Sequence, residues 1–308
     1  WLGTLRRWQQ QYGDLVSARL GPRPAVFIFD PHDAEAVLVD NFKRLRKNFI
    51  IRRAGMVIGN GLLLSEGEFW LKQRRLMQPA FSRIRVALYA NTMAELAKDA
   101  IGRWRDGQTL DAHREMMLLT RSIVSRCLFG DDVEDDGGSV EAAIERLMND
   151  FAKLGGSAVL IPLSVPTPTN LRFKRDKAAL DAQVYRFIAK RRQLPEEGND
   201  LMSVLLQARA DDGSGMTDQQ LRDEVLTLFL AGHETTASVL TWALYLLTSR
   251  PETIERLAAE ADSVLGDRAP TADDVPRLKY TDAVFKEAMR LYPPSWLMGR
   301  ETVAPYEI

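Results

Sequence analysis

The sequence predicts a mainly α-helical protein with a small β region. The clearest support is the stretch 216–249, which contains no proline and repeats apolar residues at helical spacing. Thr217 is a suitable N-cap for this helix, and Arg250 and Pro251 close its far end. Strand-like patterns are limited to a region near the N-terminus and to pieces after residue 295. With 45% apolar residues, the chain has ample material for a core.

The other elements follow from local patterns along the chain. Residues 1–12 form a short amphipathic helix, and 16–20 pairs with 25–29 in a hairpin. Asp30 caps a helix over 31–40, with Pro31 in its first position. Further runs at helical spacing predict helices at 66–79, 89–105, 115–129, 140–154, 171–192, 199–210, 251–265 and 280–292.

Composition excludes several classes of protein. The 41 basic and 42 acidic residues leave a net charge of -1, so we expect no nucleic-acid partner. The single cysteine, Cys127, excludes a disulfide framework, and its apolar neighbours predict a buried side chain. No apolar run approaches the length of a membrane span. We expect a soluble, cytoplasmic, monomeric protein of bacterial type, although a chain beginning at Trp1 leaves an earlier membrane anchor open.

Two apolar segments are predicted to face a substrate. Residues 49–64 are apolar and interrupted by glycines, as in a hinged substrate loop, although a loop that covers the core is an open alternative. Residues 155–170 contain three prolines between two helices and resemble a lid. Candidate pocket residues are Met56, Ile58, Leu160, Phe229 and Leu297.

The centre of the long helix is apolar on nearly every face, which predicts burial, yet it contains a polar motif at 231–236, AGHETT. A zinc-hydrolase HExxH motif would need a histidine where Ala237 stands. Thr235 can instead donate a hydrogen bond to the carbonyl four residues earlier, while Gly232 lets a small ligand approach the backbone. Glu234 and Thr235 would then handle protons in an apolar cavity. The alternative is that Gly232 serves only helix packing and that the threonine hydroxyls form hydrogen bonds only within their own helix.

Two further residue pairs are candidates. Trp70 and Arg74 lie four residues apart on one helix, where an indole donor and a guanidinium can hold a carboxylate or phosphate. The alternative is an exposed arginine whose stem packs on the indole. Glu287 and Arg290 form an intrahelical ion pair, and their apolar neighbours suggest partial burial.

The order of four motifs resembles the cytochrome P-450 haem-thiolate monooxygenases. These motifs are WxxxR at 70–74, AGHETT at 231–236, ExxR at 287–290 and the tail PPSWLMGRE at 293–301, so the resemblance covers essentially the whole chain. It implies the cytochrome P-450 architecture, one catalytic domain over 1–308 and a haem cofactor. It places Trp70, Arg74 and Arg300 at the haem propionates, and Ala231 and Gly232 at the oxygen groove.

The resemblance also implies a reaction. Glu234 and Thr235 match the acid–alcohol pair that relays protons to dioxygen, and Glu287 and Arg290 match a structural pair. One oxygen atom of O2 would enter a small apolar substrate. Electrons would come from a ferredoxin with its reductase or from a flavoprotein reductase, and an acidic partner could meet the basic face that carries Lys72 and Arg75.

One departure from the family pattern limits this reading. The family's haem-ligand cysteine follows ExxR in a glycine-rich loop, and the sequence ends at Ile308 without it. We therefore expect no metal ligand within these residues, a chain truncated before that loop, and no monooxygenase activity from it alone. Two alternatives stay open. One is a family member that uses peroxide or isomerises its substrate, and the other is a non-catalytic helical binding protein.

Overall fold

The structure is a computed structural model that describes residues 1–130, 143, 146–147, 162–193, 198, 200–210 and 212–304. It is mainly helical, as predicted, with two small antiparallel pairs of strands. The chain divides into two compact units, one formed by Trp1–Ile51 with Gly299–Ile308 and the other by Arg52–Met298.

The secondary structure runs as follows. The helices are α1 Leu2–Tyr12, α2 Pro31–Glu35, α3 Phe49–Arg53, α4 Gly55–Ile58, α5 Gly67–Met77, α6 Arg83–Gly102, α7 Ala112–Phe129, α8 Pro168–Arg192, α9 Leu201–Gln207, α10 Asp218–Leu247, α11 Pro251–Leu265 and α12 Lys279–Leu291. The strands are β1 Leu15–Leu20, β2 Arg23–Ile28, β3 Leu45–Lys47 and β4 Arg300–Thr302. Single turns of other helix types occupy Ala36–Asp40, Phe42–Arg44, Gln78–Phe81 and Ala272–Arg277.

The first unit contains both pairs of strands. β1 and β2 form the predicted hairpin, with register from Leu15 opposite Ile28 to Leu20 opposite Arg23. β3 pairs antiparallel with β4, which places Lys47 opposite Arg300. The Asp30 cap is also confirmed, because its side chain accepts hydrogen bonds from the backbone N–H groups of residues 32 and 33.

The second unit is built around α10. Thr217 caps this helix as predicted and forms a capping box with Gln220, which satisfies backbone donors of the first turn. The apolar residues of its first half, among them Leu221, Val225 and Phe229, are buried. The helix α7 packs along α10 and contains Cys127, which is buried as predicted.

Three consecutive charged residues of α10 are buried in this unit. The guanidinium of Arg222, 1% exposed, donates to Asp181 of α8 (Nε–Oδ1 2.9 Å), to Asp223 (2.9 Å) and to the carbonyl of Val57 (2.8 Å). The carboxylate of Asp223 also accepts the backbone N–H of Asn60 at 2.8 Å. We refer to this arrangement as the Arg222 cluster.

The next residue, Glu224, extends the same attachment. Its carboxylate accepts the N–H of Leu62 at 2.9 Å and the side-chain amide of Gln73 at 3.0 Å. Gly59 has φ 77°, and a Cβ there would overlap the Asp223 carboxylate. The segment 55–64 is thus fastened to α10 by carboxylates.

Some sequence predictions differ from the structure. The segment 49–64, expected to be irregular, contains the short helices α3 and α4, because its glycines interrupt helices without preventing them. The predicted helix 66–79 ends at Met77, where a tighter turn with Pro79 begins. The predicted helix 140–154 and most of the predicted lid 155–170 lie outside the described residues.

Within the part of the chain that the structure describes, no helix is both long enough and apolar enough to cross a membrane.

We expect Arg222→Met to lower the free energy of unfolding by about 3–5 kcal/mol, because it leaves buried carboxylates without their cation. Urea unfolding of the full-length protein measures this change. Arg192→Met is the matched control, since the Arg192–Asp218 pair is about half exposed (51% and 56%) and its loss should cost about 0–1 kcal/mol. Equal effects of the two substitutions would contradict the role given to the Arg222 cluster.

Candidate functional site

The polar motif of α10 lies on a largely exposed part of the helix. Ala231, Gly232, Glu234 and Thr235 are exposed, whereas Ala237 is buried. The described residues therefore cover the centre of this helix only in part, and its burial on nearly all faces stays a prediction. The first half is enclosed by α4, α7, α8 and α9, but only one side of the centre is covered by the residues that the structure describes.

Side-chain donors reach several backbone carbonyls in this part of α10. The hydroxyl of Thr235 donates to the carbonyl of Ala231 at 2.9 Å, which confirms the predicted bond. The hydroxyl of Thr236 donates to the carbonyl of Gly232 at 3.1 Å, and Nδ1 of His233 lies 2.8 Å from the carbonyl oxygen of Phe229. Each of these carbonyls accepts both a backbone N–H and a side-chain donor, which weakens the backbone hydrogen bonds of this turn.

Gly232 faces α7. A Cβ at this position would lie 2.8 Å from Cγ2 of Val124, too close for a methyl group. This contact supports the alternative of a packing glycine, and the role of Gly232 beside Ala231 in an oxygen groove stays a prediction. A glycine is needed at this position because only a residue without a side chain lets α7 and α10 approach this closely.

Glu234 and Thr235 point to a proton-handling function. The Glu234 carboxylate is exposed and has no ion-pair partner among residues 1–130, 162–193 and 200–304 as far as these are described. A solvated carboxylate exchanges protons readily, and a hydroxyl one residue away both donates and accepts hydrogen bonds. Proton handling by Glu234 and Thr235 stays a prediction.

Trp70 and Arg74 share one face of α5, as predicted. Cζ of Arg74 lies 5.2 Å from the centroid of the Trp70 ring, a cation–π distance. The guanidinium of Arg74 is exposed, and no carboxylate pairs with it in the described part of the chain. It is available for an anionic group, although the same geometry agrees with the alternative of a stem packed on the indole.

Arg300 belongs to the first unit. It lies exposed on β4, and its Nη1 donates a hydrogen bond to the neighbouring carbonyl of Gly299 at 3.1 Å. Its neighbour Glu301 is held by Arg23 (3.1 Å) and Arg46 (3.0 Å). The chemistry of Arg74 and Arg300 fits carboxylate groups such as haem propionates, which guanidinium groups bind through paired N–H donors.

The ion pair of α12 forms, but on the surface. Nε and Nη2 of Arg290 donate to the two carboxylate oxygens of Glu287, each at 2.7 Å. Hydrogen bonding from Arg290 holds the pKa of Glu287 below its ordinary value. The side chains of Glu287 and Arg290 are 54% and 67% exposed among the described residues, and their expected partial burial stays a prediction. The apolar neighbours that suggested burial, such as Met289, are themselves exposed.

The candidate pocket residues occupy different environments. Ile58 and Phe229 are buried at 1% and 2% exposure, Met56 is partly buried, and Leu297 is 54% exposed. Leu160 lies outside the described residues. The burial of Ile58 supports the core-covering alternative for this part of 49–64, and the pocket role of all five stays a prediction.

The thiol of Cys127 does not suit iron ligation. Burial raises its pKa to about 11, which disfavours the thiolate that binds a metal. No group of three or more histidine, cysteine or carboxylate side chains in the described ranges could hold a metal ion. The expectation that these residues contain no metal ligand stays a prediction.

Two features of the site escaped the sequence analysis. The Arg222 cluster could have been found from charged residues at 222–224 between the apolar positions Leu221 and Val225. Thr120 of α7, whose hydroxyl lies 3.0 Å from the carbonyl oxygen of His233, gave no signal. This contact depends on how α7 and α10 cross, and the crossing cannot be predicted from the presence of a threonine in the sequence.

Comparison with known proteins identifies the class. The family model described as cytochrome P450 matches residues 3–308. The chain therefore belongs to the cytochrome P450 family, which confirms the predicted fold class and the haem cofactor.

Two curated relatives come from Streptomyces. The chain is 37% identical to cyclooctat-9-en-7-ol 5-monooxygenase of Streptomyces melanosporofaciens, over 96% of this chain and 65% of that protein. It is 34% identical to pentalenene oxygenase of Streptomyces avermitilis, over 96% of this chain and 66% of that protein. The chain thus spans about two thirds of the length of these relatives.

A solved structure agrees with the family assignment. The crystal structure of the cytochrome P450DA heme domain superimposes with a TM-score of 0.82 at 28% identity, covering 94% of this chain and 64% of that one.

We expect Arg74→Gln to increase the rate of haem loss from the full-length protein by about tenfold, as for one charge-assisted hydrogen bond. Transfer of haem to apomyoglobin measures the rate. Arg75→Gln is the control, because Arg75 is exposed on the same helix and is not stacked on Trp70. Unchanged haem retention in Arg74→Gln would contradict the assignment.

We expect Arg290→Gln to raise the pKa of Glu287 towards the ordinary carboxyl value, since Arg290 lowers it. The pair contributes stability above the unfolded-state pKa of glutamate, and this contribution is lost as pH falls through the lowered folded-state pKa. NMR titration of labelled glutamate side chains measures the shift. Lys286→Gln, which removes the similarly exposed pair with Asp282, should leave Glu287 unchanged. A Glu287 pKa that stays low in Arg290→Gln would contradict the cause given.

Proposed function

We propose that the protein is a haem-dependent monooxygenase that inserts one oxygen atom of O2 into a small apolar substrate. The observation that carries the proposal is the Glu234–Thr235 pair on α10. An exposed carboxylate lies next to a hydroxyl bonded to the helix backbone, in a chain that belongs to the cytochrome P450 family. The names of the two Streptomyces relatives, a monooxygenase and an oxygenase, support the same activity.

The protein side chains would divide the work as follows. Haem, when bound, supplies the redox chemistry that activates dioxygen. Arg74, with Trp70 beside it, and Arg300 hold its carboxylate groups. Glu234 takes protons from solvent, and the hydroxyl of Thr235 passes them into the site. Glu287 and Arg290 serve a structural role. We further propose that both units belong to one catalytic domain, since a single family model spans 3–308.

The substrate is proposed to be an alicyclic alkene or alkenol. The two relatives are named for cyclooctat-9-en-7-ol and for pentalenene. An apolar compound suits the apolar segments 49–64 and 155–170, which we propose to lie near it. A product screen with compounds of this class, monitored by mass spectrometry, tests the substrate class separately from the activity.

The proposed function is tested first by the spectrum of the ferrous carbon monoxide complex of the full-length protein. A red-shifted band, as a thiolate ligand produces, together with product formation from O2 and a reductant, supports the proposal. A normal band with no product favours the non-catalytic binding protein instead. Product formed from peroxide alone, independent of any reductase, favours the peroxide-using alternative.

We expect Thr235→Val to lower the fraction of consumed O2 that appears as product by about tenfold, with peroxide released instead, because general acid–base groups contribute factors of this size or more. Oxygen uptake, peroxide and product are measured together. The control is Thr241→Val, which removes a similar hydroxyl bond, 2.7 Å to the carbonyl of Ala237, further along the same helix. Normal coupling in Thr235→Val would exclude this residue as the relay.

The electron donor is proposed to be an acidic ferredoxin or flavoprotein that meets the basic face of α5. Lys72 is engaged with Asp212 (3.1 Å) and Ser214 (2.9 Å), and hydrogen bonds from Ser214 and Lys72 lower the pKa of Asp212 to about 2. Arg75 is exposed and pairs with no carboxylate in the described ranges. It is therefore the better candidate for the contact.

We expect Arg75→Glu to slow electron transfer from an acidic donor by about tenfold at low salt, with a smaller effect at high salt, since exposed charges steer association and salt screens them. Stopped-flow reduction measures the rate. Arg209→Glu, a charge reversal at an exposed position outside α5, is the control. Rates that fall equally in both variants would point to net charge rather than to this face.

A further inference from the structure

We propose that Thr120 of α7 is a positioning residue that holds the turn of α10 on which Glu234 and Thr235 lie. The Thr120 side chain is buried, at 3% exposure. Its Oγ1 lies 2.9 Å from the carbonyl oxygen of Met116 in its own helix and 3.0 Å from the carbonyl oxygen of His233 in α10. The proposed consequence for catalysis rests on the proposed function, whereas the positioning itself does not.

The contact between Thr120 and α10 is more than an ordinary back-bond. A helical hydroxyl commonly donates to the carbonyl four residues earlier, as Ser122 does to Leu118 at 3.0 Å on the same helix. Thr120 has that acceptor and also a second one on another helix. Because a hydroxyl has one hydrogen, the two carbonyls share it, and α7 is thereby tied to the backbone of α10.

The close approach of the two helices depends on Gly232. Val124, four residues after Thr120 on the same face of α7, occupies the space that a Cβ of Gly232 would need. The adjacent residue His233 supplies the carbonyl that meets Thr120. A packing contact and a polar contact therefore fix the same turn of α10 from the side of α7.

This attachment matters because the carbonyls of this turn accept hydrogen bonds from side chains as well as from the helix backbone. The carbonyls of Phe229, Ala231 and Gly232 each have a side-chain donor, and Thr120 adds one for His233. Carbonyls that serve two donors make longer and weaker ladder bonds. The orientation of the exposed Glu234 and Thr235 should then depend on what holds the turn from behind.

The test compares Thr120→Val, Thr120→Ser and the control Ser122→Ala in the full-length, haem-loaded protein. Val keeps the shape and removes the donor, Ser keeps the donor, and Ser122→Ala removes an exposed back-bond from the same helix. Hydrogen exchange is followed by mass spectrometry in peptides that cover 231–240. We expect exchange in Thr120→Val to be about two- to tenfold faster there, as for the loss of one hydrogen bond, with both other variants within about twofold of wild type.

A second variant and a second readout keep the outcome decisive. Gly232→Ala should force α7 away and produce the same local increase in exchange. In turnover with a converted substrate, Thr120→Val should lower the product formed per O2 consumed by at least about twofold, as for the loss of a hydrogen bond in the turn, with KM unchanged and with recovery in Thr120→Ser.

Unchanged exchange at 231–240 in Thr120→Val, or an equal increase along the whole chain, overturns the inference. If Thr120→Val forms the normal amount of product per O2 consumed and has a raised KM, the proposed effect of Thr120 on catalysis is overturned. If wild-type protein forms no product at all, the proposed function fails, and the exchange measurement still decides whether Thr120 holds the turn.

Discussion

The second unit depends on one buried cation. Arg222 brings carboxylates of α8 and α10 together with a carbonyl of α4, and its removal from water is offset only because several acceptors surround it. Asp223 and Glu224 then accept N–H groups of the glycine-containing segment that follows α4. The first half of α10 is therefore an anchoring element that joins α8, α4 and the segment after α4.

The second half of α10 follows a different principle. Its side towards α7 is packed closely at Gly232, while Glu234 and Thr235 are exposed. Here side-chain hydroxyl groups of α10 donate to carbonyls of the same helix, and Thr120 of α7 donates to the carbonyl of His233. The same helix thus combines a rigid, ion-paired half with a half whose conformation depends on its neighbours.

Sequence reasoning succeeded where the determinants were local. Caps, the hairpin, the long helix and the Thr235 back-bond depend on residues at most a few positions apart, and all were predicted correctly. Burial is harder to infer, because apolar neighbours of Glu287 and Arg290 do not say which face another element covers. Sequence reasoning missed the contact of Thr120 with α10, since helix crossing is a long-range property. Anion binding by Trp70 and Arg74 and proton handling by Glu234 and Thr235 could be inferred from the residues, whereas their roles at a haem came from the resemblance.

A last consequence concerns the three-residue strand β4. Glu301 points to Arg23 and Arg46, so its two neighbours on the strand, Arg300 and Thr302, point to the other face. A shift of the strand by one residue would replace the carboxylate of Glu301 beside Arg23 and Arg46 with the side chain of Arg300 or Thr302. Each remaining side chain of the strand would then point to the opposite face. The ion pairs of Glu301 therefore fix the register of β4. Insertion or deletion of one residue beside Glu301 would break these ion pairs, and a strand of three residues has few other contacts that could restore the register.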